Sequence, residues 1–335
     1  MKILKTFGER YPISAFLILC FGFTWSIWFT VPFFAGSDWS LGRIYVGAGF
    51  GPALAAIFMN QLCGHGADIG NKKWLLCFSA FFALLFGLYF SILLTGDGIT
   101  AEKLSQARPA GISVTGILGV IVSAVIGSFV IASLAVSRSK ALSSVSEWRV
   151  SIKWWLIALL LPSVWMMLGV LMASMTGEKI QAELVEHNLE LQTWVLYTAR
   201  SILLTFLVVA IGEEAGWRAW MLPRLQQRFS PLHSSVFIGI AWGLWHFPLF
   251  VIGQYSDPPE MVFAKAGACI MLGIVFTWLY NRTGGNLLMV VLLHTAMNSS
   301  PRFVPFSEQM GVFLILSLIC MIVFDRMWRK SRIQL

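Results

Sequence analysis

Residues 193–218 read TWVLYTARSILLTFLVVAIGEEAGWR: an apolar run from Thr193 to Ile211, then Glu213, Glu214 and Arg218. A run of this length can cross the hydrocarbon core of a bilayer as a helix, which takes about 20 residues. Charged groups are costly at membrane depth, and those that occur there usually serve a function. The stretch therefore predicts a membrane helix that carries functional polar side chains.

The composition extends this prediction to the whole chain. Hydrophobic residues make up 57% of the sequence and charged residues only 12%, whereas soluble domains contain about 25% charged residues. We therefore expect an all-α fold, a polytopic transmembrane helical bundle of about ten spans. The apolar runs lie roughly at 13–34, 44–63, 74–94, 112–136, 154–175, 193–212, 234–253, 261–280, 286–300 and 309–325.

The net charge of +8 raises the question of a nucleic-acid partner. The Lys and Arg residues, however, sit mostly in alternate loops between apolar runs, which is how topology is encoded in membrane proteins. We therefore expect no nucleic acid as a partner, and a multi-pass protein of the cell (plasma) membrane with both termini cytoplasmic. The five cysteines show no metal-binding or disulfide spacing, so no disulfide partner is expected.

Two later apolar runs carry isolated polar groups, Trp242-x-x-x-His246 and His294-x-x-x-Asn298. On the earlier helix, Glu214 and Arg218 are four residues apart and can pair, which leaves the adjacent Glu213 free to face a cavity. Imidazole and amide N–H groups can donate to a carbonyl oxygen on which negative charge develops. The three segments together predict one catalytic site.

Several chemistries remain open for Glu, Glu, His, His and Asn. A carboxylate and an imidazole could activate water without any cofactor, or a divalent metal such as zinc could be held by Glu and two His. A transporter could also use buried Glu, His and Arg. Serine and cysteine proteases are poorly supported, because neither a Gly-x-Ser-x-Gly motif nor a cysteine beside the polar segments is present.

The three motifs, in this order, resemble those of the CPBP family, the CAAX proteases and bacteriocin-processing enzymes also called the Abi family. The family pattern is Glu-Glu-x-x-x-Arg, Phe-x-x-x-His and His-x-x-x-Asn or Asp, and Trp242 replaces the usual Phe. The resemblance implies a glutamate-type intramembrane endopeptidase that acts on a membrane protein or peptide in the lipid bilayer. It implies that Glu213 and His246 activate water, that Glu214 and Arg218 hold the geometry, and that His294 and Asn298 stabilise the oxyanion. A metal-dependent protease and a non-enzymatic immunity protein of the same fold are the alternatives.

The sequence also predicts how the chain is divided. We expect helices of unassigned role in residues 1–192, a CPBP-like catalytic core in 193–300, and a last helix with a basic cytoplasmic tail in 301–335. The polar segment 216–230 suggests an amphipathic helix at the cytoplasmic interface. We expect the site to open toward the cytoplasmic half and to cleave near that face. Arg200, inside the sixth apolar run, is left without a role.

Overall fold

The structure, a computed structural model, describes residues 2–36, 38–96, 111–177 and 191–330. Its described part is built of α-helices and contains no β-strand. The helices are α1 Lys2–Arg10, α2 Pro12–Trp28, α3 Val31–Ala35, α4 Trp39–Val46, α5 Gly51–Leu62, α6 Lys72–Thr95, α7 Val114–Ala135, α8 Lys140–Ser143, α9 Ile152–Met175, α10 Leu191–Gln226, α11 Pro231–Trp245, α12 Phe247–Val251, α13 Val262–Arg282, α14 Leu287–Ser299 and α15 Met310–Phe324. The predicted loops at 97–110 and 178–190 lie outside the described residues.

The membrane-spanning prediction is confirmed for the first eight apolar runs. In the described ranges, eight stretches are helical, long enough and apolar enough to cross a membrane, from Pro12–Ala35 to Pro259–Arg282. The ninth predicted run forms α14, a largely buried helix of 13 residues that covers only about 20 Å at 1.5 Å per residue. The tenth forms α15, a shorter apolar helix. The fold is a polytopic helical bundle.

Small residues let the helices of the later half approach closely. A Cβ atom added at Gly239 or Gly243 would lie 2.4 Å or 2.2 Å from backbone atoms of Ile270 and Ala266. These two glycines, four residues apart on α11, therefore allow backbone-to-backbone packing against α13, as small-xxx-small patterns do in membranes. Side-chain caps begin several helices: Asn71, Ser113, Ser230 and Asn286 each accept a hydrogen bond from the backbone N–H three residues on.

Helix α10 is the central element and differs from its prediction. It runs unbroken through the polar stretch, so the expected interfacial helix at 216–230 is wrong. The side chains of residues 215–222 are buried, because neighbouring helices enclose them. Two wide π-helical turns, Thr205–Ala210 and Ala215–Met221, flank the single α-helical turn Ile211–Glu214. Such turns occur frequently at functional sites.

The bundle has two distinct ends. One of them contains the connections 63–71, 136–151, 227–230 and 283–286, and we call it the basic end. Contacts tie these connections together: an Arg138–Asp68 ion pair, a hydrogen bond from Ser144 Oγ to the Gly285 carbonyl at 3.1 Å, and one from Leu232 N to the Met327 carbonyl at 3.0 Å.

The other end, which we call the opposite end, is tied together by its own contacts. They include hydrogen bonds from Tyr45 Oη to the Thr115 carbonyl at 2.6 Å and from Tyr197 Oη to the Thr95 carbonyl at 2.8 Å. Loop 252–258 and the start of α10 lie here. Arg200, whose place the sequence left unexplained, is buried at this end. It donates to Thr95 Oγ1 at 2.8 Å and to the Gly96 carbonyl at 2.7 Å, so it caps the last turn of α6, where a cation is favoured.

Candidate active site

The predicted pair Glu214–Arg218 forms inside the bundle. Arg218 Nη1 lies 2.9 Å from Glu214 Oε2, and both side chains are fully buried. The other carboxylate oxygen, Oε1, lies 2.7 Å from Nδ1 of His294, which α14 supplies. Both oxygens of Glu214 are therefore engaged, and this carboxylate joins α10 to α14.

The Arg218 guanidinium is held between two aromatic rings. Its Cζ lies 4.7 Å from the ring centroid of Trp242 and 4.9 Å from that of Phe276. Cation–π contacts of this kind are strongest where water is excluded. The ion pair and the two rings fix Arg218, and through it Glu214, in one position.

Glu213 points to a different neighbour. The indole N–H of Trp242, the residue that replaces the usual Phe of the second motif, donates to Glu213 Oε2. The Trp242 ring also contacts both predicted histidines, with centroid separations of 6.1 Å to His246 and 5.7 Å to His294. Trp242 thus lies at the centre of the group and touches four of the six predicted residues.

A cavity of about 130 Å³ is lined by both Glu213 and His246. At about 30 Å³ per molecule in the liquid, this volume would accommodate roughly four waters. Its polar lining includes Arg43, Ser201, Thr205, Gln254 and Tyr255, and its apolar lining includes Trp28, Phe50, Ile92, Val208 and Leu249. Glu213 and His246, from α10 and the end of α11, therefore face one shared space.

The hydrogen bonds fix which ring nitrogens carry protons. His246 Nδ1 lies 2.7 Å from the Trp242 carbonyl oxygen, which can only accept, so Nδ1 carries the proton and Nε2 of the neutral ring is an acceptor. His294 Nδ1 donates to Glu214 in the same way. For Nε2 of His294 to donate to an oxyanion, that nitrogen must also carry a proton.

Asn298 is the predicted residue that the structure does not bring to the others. It lies one turn beyond His294 on α14, near the end of the helix, and its side chain is exposed while His294 is buried. The cavity that Glu213 and His246 share is not lined by Asn298. Four residues of an α-helix rotate through about 400°, which is about 40° more than a full turn. A spacing of four residues therefore does not ensure that both side chains share one environment.

Two further polar residues near the site were missed in the sequence. The Lys265 ammonium, on α13, hydrogen-bonds Tyr255 and lies 5.3 Å from its ring centroid. The Tyr255 ring stacks on His246 at 6.1 Å with an interplanar angle of 24°. Burial raises the pKa of the Tyr255 phenol, so it remains protonated at neutral pH. A signal existed for Lys265, because it is a charged residue within an apolar run.

The donor set does not fit a divalent metal in this arrangement. Among the described residues, no three His, Cys, Asp or Glu side chains converge as metal ligands. Both Glu214 oxygens are engaged by Arg218 and His294, and Glu213 accepts from Trp242. These side chains would have to exchange partners before they could form a metal site.

A comparison with known proteins finds a match in the segment that carries the three motifs. The family model described as type II CAAX prenyl endopeptidase Rce1-like matches residues 194–300, the stretch that contains all three motifs. Residues 194–300 are therefore similar to a family of CAAX prenyl endopeptidases. The chain is also similar to CAAX prenyl protease 2 of Methanococcus maripaludis, with 25% identity over 135 residues.

That similarity covers only part of each of the two proteins. The match covers 37% of this chain and 50% of the Methanococcus maripaludis protein, so the chain spans about half the length of this curated relative. The helices before α10 contribute to the site nonetheless, because Trp28, Arg43 and Phe50 line its cavity.

Proposed function

We propose that the chain is an intramembrane endopeptidase of glutamate type. The observation that carries the proposal is the cavity that Glu213 and His246 share, since it could hold a water molecule between a carboxylate and an imidazole acceptor. Both groups can take a proton from water as it attacks a peptide carbonyl. The family match to CAAX prenyl endopeptidases supports this reaction class.

The remaining residues have supporting roles in this proposal. Glu214 and Arg218 hold the turn of α10 that presents Glu213, and Glu214 orients the ring of His294. When both of its ring nitrogens carry protons, His294 would donate to the oxyanion of the tetrahedral intermediate. Asn298 is proposed as a second donor, although it lies outside the group and would have to turn inward. The proposed reaction uses no metal, because both Glu214 oxygens are engaged and no three candidate ligands converge among the described residues.

The proposed substrate is a membrane protein or peptide whose cleavable segment enters the cavity. The Methanococcus maripaludis relative is named a CAAX prenyl protease, so a lipid-bearing C-terminal peptide is one candidate class. The cavity lining lies toward the opposite end of the bundle, away from the basic loops, so cleavage is proposed on that side and not near the cytoplasmic face expected from the sequence.

The test is hydrolysis of a mixture of membrane-anchored fluorogenic peptides by the purified full chain in lipid nanodiscs. Glu213→Gln and His246→Gln are each expected to abolish cleavage while the protein keeps its elution volume and helix content. Glu308→Gln, which changes an exposed carboxylate in the 300–309 connection, is the matched control and should cleave as the parent does. Full activity in Glu213→Gln would refute the mechanism.

A further inference from the structure

The cavity extends from Glu213 toward the opposite end of the bundle. Along α10 its lining runs back from Glu213 through Thr205 to Ser201, toward the start of that helix. From other elements it takes residues that also lie at this end. They are Trp28, the last residue of α2, Arg43 in α4, Tyr89 and Ile92 in the last two turns of α6, and Gln254 and Tyr255 in loop 252–258.

Most basic residues of the described connections lie at the other end. Flanking or within the basic-end connections are Lys72, Lys73, Arg138, Lys140, Arg149, Lys153, Arg228 and Arg282, and Arg326, Arg329 and Lys330 follow α15. At the opposite end the described basic residues are Arg43, Arg200, Lys265 and Arg302. Of these, Arg200 and Arg302 are buried and hydrogen-bonded to Gly96 and Ser201. Lys103, Arg108 and Lys179 belong by sequence to the two segments outside the described residues.

Lys and Arg in short loops remain on the cytoplasmic side of a membrane, and this bias sets the orientation of the whole bundle. Applied to the two ends, the rule makes the basic end cytoplasmic. We infer that the Glu213–His246 cavity opens to the non-cytoplasmic face of the membrane. This proposal replaces the opening toward the cytoplasmic half that the sequence led us to expect.

This inference rests on the proposed function for its substrate class. A peptidase oriented in this way cleaves a segment that reaches the bilayer from the non-cytoplasmic side. Its substrates are exported or membrane-anchored polypeptides whose cleaved segment enters the cavity from that side. Polypeptides that stay in the cytoplasm, with or without a lipid on the C-terminus, do not have access to Glu213.

Orientation can be measured without any peptidase assay, by thiol labelling in spheroplasts of expressing bacteria. The three cysteines that are not buried, Cys63, Cys77 and Cys320, are first replaced by serine in the full chain. Three single-cysteine reporters are then made: Thr205→Cys in the cavity, Ser256→Cys in loop 252–258 and Ser146→Cys in the basic-end connection. The probe is a membrane-impermeant maleimide, applied to intact spheroplasts and to inside-out vesicles.

Thr205→Cys and Ser256→Cys are expected to be labelled fully in spheroplasts and to lose that labelling in sealed inside-out vesicles. Ser146→Cys should show the reverse pattern. Labelling of Thr205→Cys from the cytoplasmic side alone would overturn the inference, as would a thiol that reacts only after denaturation, because the cavity would then be closed to water. If Thr205→Cys fails to insert into the membrane, Val46→Cys provides the same measurement, because Val46 also lines the cavity.

A second measurement separates this inference from the proposed function. The anchored fluorogenic peptides are added from outside to spheroplasts and to inside-out vesicles, and cleavage is expected in spheroplasts alone. Cleavage restricted to inside-out vesicles would overturn the inference. If detergent-solubilised protein cleaves none of the peptides, the proposed function fails while the labelling pattern still reports where the cavity opens.

Discussion

At the scale of single residues, Trp242 connects the groups of the site. Its N–H donates to Glu213 and its ring lies beside Arg218 and both histidines. Phenylalanine, the usual residue at this motif position, has no N–H with which to hold the carboxylate. The tryptophan therefore adds to this chain a constraint on Glu213 that the family motif does not require.

We predict that Trp242→Phe lowers kcat for peptide hydrolysis by roughly ten- to a hundredfold. A hydrogen bond to a charged group contributes about 1.5–3 kcal/mol, and about 1.4 kcal/mol corresponds to a factor of ten in rate. The matched control is Trp278→Phe, because the ring of Trp278 packs against Trp154. Unchanged kcat in Trp242→Phe would show that Glu213 is positioned without the indole.

The residue scale also shows how far the sequence could predict the site. The Glu214–Arg218 pair followed from a four-residue spacing on one helix, and the structure contains it. The same spacing placed Asn298 with His294, yet Asn298 is exposed although the adjacent Ser299 and Ser300 are buried, so it lies on the outward face of the last turn of α14. Lys265 and Tyr255 join the site only through contacts between elements, which motif spacing does not encode.

At the scale of elements, α10 depends on its contact with α5. A Cβ atom added at Gly216 would lie 2.5 Å from backbone atoms of Pro52, closer than any real side chain could approach. The turn that carries Arg218 is therefore packed directly on the α5 backbone. The contact between Gly216 and Pro52 and the π turns of α10 could not be predicted from the sequence, because both depend on which helix packs beside the polar stretch.

We predict that Gly216→Ala destabilises the protein by about 1–3 kcal/mol, the usual cost of overpacking a close contact. The measurement is the thermal midpoint of unfolding in detergent, followed by near-ultraviolet circular dichroism. Gly87→Ala is the control, because a Cβ at Gly87 in α6 meets nothing within 4 Å. There, alanine should leave stability equal or raise it by up to about 1 kcal/mol. Equal midpoints for the two variants would argue against tight packing at Gly216.

At the scale of the whole molecule, the composition predicted the fold class because hydrophobicity is a property of the entire chain. Eight long apolar helices appear where the sequence has long apolar runs. The direction in which the cavity opens could not be obtained in the same way. It depends on how residues of α2, α4, α6 and α10 meet at one end, and loop charge gives only the orientation of the bundle as a whole.

We predict that peptidase activity survives exhaustive dialysis against EDTA and 1,10-phenanthroline, and that elemental analysis of the active protein finds no stoichiometric metal. The reason is that Glu214 is engaged on both oxygens and Glu213 accepts from Trp242. Loss of activity on chelation, with recovery on addition of zinc, would support the metal-dependent alternative.

The two wide turns of α10 also set the angular phase between its ends. A π turn contains one residue more than an α turn, and each residue of an α-helix corresponds to a rotation of about 100°. Removing a single residue within Thr205–Ala210 could leave the helix continuous. If Glu213 stayed in place, however, the deletion would rotate Arg200 away from the carbonyl at the end of α6 to which it donates. The additional residue of this π turn therefore lets Arg200 and Glu213 each face its own partner from one continuous helix.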